Sequence, residues 1–163
     1  MRIEESVRVA AEWPELVKGI KSHGESGGLS HWGLDVLKMA VEAGRAAGLP
    51  LYVHTGELFP VAEETRPAPE TVLQQVVPVL EPGTTLAHVY STIPDGITGG
   101  AKSIPPVVFE ALDRGLHFDV GHGVNFSFAI ARRMMDAGVL PNTISSDVHS
   151  DFHAYHDDSK LDY

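Results

Sequence analysis

Five short apolar runs in this chain each end in a chemically active side chain, and segments of helical periodicity lie between them. The polar ends fall at Lys21, His54, His88, His122 and Asp147, spaced 33, 34, 34 and 25 residues apart. Such spacing is that of strand–helix units. Strict alternation of this kind leads to a parallel sheet with right-handed crossovers. No sequence repeat accompanies the period, so it reflects architecture and not a solenoid. The expectation is a single α/β domain over residues 1–163, with a polar tail at 150–163.

Leu49 to Glu57 shows the pattern most clearly. Leu51, Tyr52 and Val53 form a strand entered through Pro50, and His54-Thr55-Gly56-Glu57 follows abruptly. Before it, Arg2 to Glu12 reads as an amphipathic helix broken by Trp13-Pro14. Leu16 to Lys21 reads as a strand, Ser22 to Ser30 as a glycine-rich loop, and Leu34 to Ala47 as a helix stopped by Gly48. After it, helices are expected over Pro69 to Leu80, Pro105 to Asp113 and Phe126 to Ala137. Strands are expected over Thr84 to Tyr90, His117 to Gly123 and Thr143 to His149. That makes five strands and four intervening helices.

The formal net charge of −10 argues against a nucleic-acid or anionic-membrane partner, both of which need a basic surface. There is no cysteine, hence no disulfide framework, thiolate site or cysteine nucleophile. No apolar h-region follows Arg2, and no apolar run reaches the roughly 20 residues of a membrane span. The expectation is a cytoplasmic α/β protein.

The C-terminal ends of parallel strands lie on one face, so the five polar ends converge. One histidine capping one strand is ordinarily satisfied by a backbone carbonyl. Several recurring at strand ends reverse that balance. Three imidazoles and a carboxylate on one rim make a donor set for a divalent metal.

Gly19-Ile20-Lys21, Val53-His54-Thr55-Gly56-Glu57, Ala87-His88, Phe118-Asp119-Val120-Gly121-His122-Gly123 and Ile144-Ser145-Ser146-Asp147-Val148-His149 together carry a resemblance. The chain resembles the later part of a metal-dependent amidohydrolase-superfamily enzyme, nearest the dihydroorotase-like deacetylases. The resemblance implies a partial TIM barrel, roughly strands 4 to 8 of a (β/α)8 barrel. It implies two divalent ions, commonly Zn2+, with Lys21, His54, His88 and Asp147 as metal ligands. Lys21 would serve as a carboxylated, bridging lysine, because an ammonium cannot bind a cation. Asp147 would also be the catalytic base. His122 and His149 would face the substrate. The implied reaction is hydrolysis of a C–N or related ester bond by a metal-activated water.

The chain departs from the family pattern at both ends, the family's last helix and small β-domain having no counterpart after Asp147. No His-x-His precedes Lys21, and the first three strands have no counterpart. Either the chain is part of a longer enzyme or two copies complete each other as a homo-oligomer. Two other readings stay open at this point: a non-catalytic metal-binding module, and a deaminase of the same superfamily. The tail histidines His149, His153 and His156, beside Asp151, Asp157 and Asp158, offer a separate surface metal site.

Overall fold

The computed structural model describes residues 2–58, 60–98, 101–123 and 125–148. Its elements alternate as the spacing predicts: α1 (Ile3–Glu12), β1 (Ile20–His23), α2 (Ser26–Trp32), α3 (Asp35–Ala47), β2 (Leu51–His54), α4 (Pro69–Val76), β3 (Thr85–Leu86), α5 (Pro106–Asp113), β4 (His117–Phe118) and α6 (Phe128–Asp136). The four strands form one parallel sheet in the order β1-β2-β3-β4. Consecutive strands lie side by side, which is the order of a barrel section.

α3 forms because its apolar positions share one face. Leu37, Ala40 and Ala43 are fully buried there, and Gly48 closes the helix in the left-handed conformation (φ 65°). α4 starts on Pro69 and tightens into a 3-10 turn at Val77–Val79, where Pro78 cannot continue the α-helical bonding. These helices pack on one face of the sheet. Val53, Leu86 and Phe118 point into that layer and meet a core that includes Val72, Val76, Val108, Ala111 and Met134.

The opposite face is polar. β1 and β2 pair in register as Ile20 with Leu51, Lys21 with Tyr52, Ser22 with Val53 and His23 with His54. Alternation along a strand sends Lys21, His23, Tyr52 and His54 to the same side, away from the helices.

Several expectations need correction, among them the strands expected over Thr84 to Tyr90 and His117 to Gly123, which keep only two residues each. The first strand is Ile20–His23, not Leu16 to Lys21; Leu16 is exposed and sits in a turn closed by its N–H to the Trp13 carbonyl. The loop expected at Ser22 to Ser30 holds α2, nucleated by Glu25, whose side chain accepts from the Gly27 and Gly28 N–H groups. The fifth strand is reduced to a single parallel bridge between Asp119 and Thr143. Backbone bonds from Val120, His122 and Gly123 to the carbonyls of Thr143, Ser145 and Ser146 still lay that segment along the sheet edge. His149 and the tail, with His153 and His156, lie outside the described residues.

Candidate metal centre

His54 ends β2, and the chain turns away at once through Gly56 (φ 93°). His88 follows β3 by two residues and has itself left the strand conformation, with φ 62°. Asp147 also has positive φ, 51°. These are the only non-glycine residues with positive φ among the described residues, and both are predicted site residues. A side chain in that region is held at a cost, and such strain concentrates where function places it.

The three side chains meet. His54 Nδ1 and His88 Nε2 stand 3.0 Å apart, and Asp147 Oδ2 lies 4.0 Å from the same His88 nitrogen. Each imidazole is oriented by a backbone carbonyl: His54 Nε2 donates to Gly56 O at 2.9 Å, and His88 Nδ1 donates to Gly121 O at 2.6 Å. Gly121 is required for that approach. A Cβ there would stand 2.9 Å from His88 Nδ1.

Counting protons exposes a deficit. Two neutral imidazoles own one N–H each, and the two carbonyls, which can only accept, use both. No proton then remains for the 3.0 Å contact between the rings, so two lone pairs face each other. Adding a proton is disfavoured: burial, then the neighbouring His88 and His23 rings, push His54 down to about 4. A cation between the nitrogens resolves the deficit. Two nitrogens at about 2.05 Å from one tetrahedral zinc lie about 3.3 Å apart, close to the separation seen. Metal-bound histidines characteristically donate their other N–H to a carbonyl or carboxylate. His54 and His88 therefore fit a divalent ion, with Asp147 beside them. The set is incomplete, since no group of three or more His, Asp or Glu side chains is arranged to hold a metal as it stands among the described residues.

Lys21 stands near this cluster, its charge being among those that lower His54. It lies two residues before the strand end, exposed, with Nζ 5.7 Å from the centre of the Tyr52 ring. The residue at the end of β1 is His23, whose ring centre is 5.2 Å from that of His54. Burial, then the Lys21 charge, lowers His23 below the ordinary histidine range. Sequence reasoning missed His23 because the strand was ended at Lys21. Alternation from Lys21 would have found it.

His122 does reach the site. It lines a cavity of about 570 Å³ together with His54, His88 and Asp147. Its ring stacks on Phe126, centres 4.8 Å apart and planes 18° apart. Tyr90, Ile93 and Leu58 make the rest of the wall largely apolar.

Asp119 was also missed as a site residue, although it stood in a quoted motif. It is buried on the polar face and accepts from the hydroxyls of Tyr52, Thr143 and Ser145. Burial raises its carboxyl, but those hydrogen bonds outweigh burial and hold it below the usual range. Tyr52 is pushed up to about 12 by burial and by this bond. The network fastens the segment carrying Asp147 to β2 and β4.

Parallel strands in sequential order, helices on one face and imidazoles at the strand ends define a section of a parallel α/β barrel. No family model matches the chain. In fold it is similar to an adenine deaminase (TM-score 0.77, 24% identity, 94% of this chain and 40% of that one) and to a dihydroorotase (TM-score 0.70, 24% identity, 93% and 37%). In sequence it is 27% identical to a deacetylase of Brucella anthropi over 140 residues, covering 83% of this chain and 31% of that protein. A deacetylase of Agrobacterium fabrum gives 27% over 144 residues, 85% and 32%. In fold the chain is thus similar to a section of the barrel of these two enzymes, and in sequence to a section of the deacetylases. It spans about a third of the length of the curated relatives it matches.

Proposed function

We propose that the chain carries part of the metal centre of a hydrolase that cleaves a C–N bond, an amide, N-acyl or cyclic amide, in a small molecule. The observation supporting this is the His54–His88 pair, outer nitrogens fixed by carbonyls and inner nitrogens 3.0 Å apart, beside Asp147. His54, His88 and Asp147 would hold the ion. The donor set suits zinc. When bound, such an ion polarises a carbonyl and lowers the pKa of water. Asp147 takes the proton of the attacking water and passes it to the leaving nitrogen, as base and then acid. His122, braced on Phe126, contacts the substrate at the cavity wall, and His149 is assigned the same task. Lys21, on the same face of β1, would add an anionic oxygen donor once carboxylated. The named relatives, deacetylases in sequence and a dihydroorotase and an adenine deaminase in fold, support C–N hydrolysis over other chemistry.

The test is zinc content and hydrolysis of N-acetylated and cyclic-amide substrates, with His54→Ala as the comparison. A chain that takes up no divalent metal, and in which His54→Ala changes nothing, rules the reading out. The incomplete ligand set favours a second reading, a metal-binding section that is inactive by itself. Metal bound without turnover, both lost in His54→Ala, would select it.

A further inference from the structure

One buried acid beside the site has no part in the chemistry above. Asp95 lies in the segment after β3 and is 2% exposed. Its Oδ2 accepts from the Ser26 N–H at 2.8 Å, and its Oδ1 accepts from the Glu57 N–H at 2.7 Å. The Glu57 N–H belongs to the same peptide group as the Gly56 carbonyl. That carbonyl accepts from His54 Nε2 at 2.9 Å. One peptide unit therefore stands between a carboxylate and an imidazole, bonded to each.

A peptide whose N–H donates to an anion is polarised. Electron density moves onto its oxygen, and the bond that oxygen accepts is strengthened. The same segment also fixes the peptide sterically. Ile93, two residues before Asp95, packs on Gly56, where a Cβ would stand 3.2 Å from Ile93 Cδ1. A simple loop staple needs only an acceptor at position 95. A relay to the imidazole uses the charge.

We propose that Asp95 is a positioning residue for His54, acting through the Gly56–Glu57 peptide to hold the imidazole proton on Nε2 and the Nδ1 lone pair toward His88. The purpose of this arrangement rests on His54 being a metal ligand; the hydrogen-bond chain does not.

The tautomer is read from the ¹⁵N shifts of His54 in the metal-free chain at neutral pH, and zinc affinity is measured in parallel. In the wild type His54 carries its proton on Nε2. In Asp95→Asn, nearly the same in shape but uncharged and with one oxygen left to accept from only one of the two N–H groups, the Nδ1–H form gains population and zinc affinity falls about 10- to 100-fold, the range for losing an orienting partner of a ligand. Asp95→Ser, which keeps a small acceptor, is the second variant if the amide does not fold. A wild type with its proton on Nδ1 overturns the proposal. So does a folded variant whose His54 shifts are unchanged. The two readings fail separately. A tautomer change in a chain that binds no zinc removes the metal reading and leaves the relay. Zinc bound equally by wild type and variant, with unchanged shifts, removes the relay and leaves the metal.

Discussion

Gly121 and His88 face each other with hardly any slack. The glycine has φ 46°, and a Cβ on it would meet His88 Nδ1 at 2.9 Å and His88 N at 3.0 Å. Gly121→Ala therefore combines backbone strain with a clash against a site residue. Gly138 has φ 82° with nothing within 4 Å of a Cβ, so Gly138→Ala carries the strain alone. Strain at one such position costs about 1–3 kcal/mol. Urea unfolding should place Gly121→Ala below Gly138→Ala in stability, and only the former should weaken zinc binding. His54 gives a second expectation at this scale. Its folded pKa of about 4 lies below the unfolded value of about 6.5. The unfolded chain thus binds a proton before the folded one does as pH falls. The stability contributed is fully present above about pH 6.5, declines through that window and is spent near pH 4. A loss of a few kcal/mol is expected between pH 7 and 4.5. His54→Asn should flatten that slope in urea titrations. An equal slope in both proteins would contradict the assignment.

The elements were legible wherever packing alone decides them. α3 showed its buried face and its glycine stop in the sequence, and β2 showed its apolar run and proline entry. The later strands were read too long because the site interrupts them. His88, Gly121 and Asp147 all take positive φ, which breaks the regular strand conformation there, although single backbone bonds run on past His88 and Gly121. Apolar pattern cannot show where a strand is bent to aim a ligand. Leu16 and Val17 misled in the other direction, β-prone in type but held in a turn after Trp13. His54, His88 and His122 were legible as strand-end histidines, and the structure gathers them around one cavity with Asp147. The partners that orient them are backbone carbonyls, which no residue type announces. Asp119 shows how the last segment is held with only one bridge. Asp119→Ala removes the common acceptor of Tyr52, Thr143 and Ser145, and hydrogen bonds to a charged group contribute about 1.5–3 kcal/mol each. Part is recovered from water on this open face, so a loss of about 2–4 kcal/mol is expected. Tyr52 supplies an independent readout. Its titration, followed by tyrosinate absorbance, should fall from about 12 toward the ordinary value while burial keeps it above. An unmoved Tyr52 would show that the bond does not form in solution.

For the whole molecule the governing fact is that a barrel section has edges. β1 ends the sheet on one side and the 143–146 segment lies along the other, where Ile144 and Val148 are 84% and 68% exposed. Unpaired parallel edges and exposed aliphatic side chains favour pairing with another chain. A net charge of −10 opposes it, because two copies repel each other at any approach. Salt decides which effect wins. Screening length falls from about 30 Å at 0.01 M to about 3 Å at 1 M, while apolar burial and backbone pairing are not weakened. The chain should therefore sediment as a monomer at low ionic strength and shift toward dimers or larger species as salt rises. Charged substitutions at Ile144 and Val148, such as I144K with V148E, leave net charge unchanged and should suppress the shift. Sedimentation independent of salt in both proteins would mean that these edges do not pair with each other.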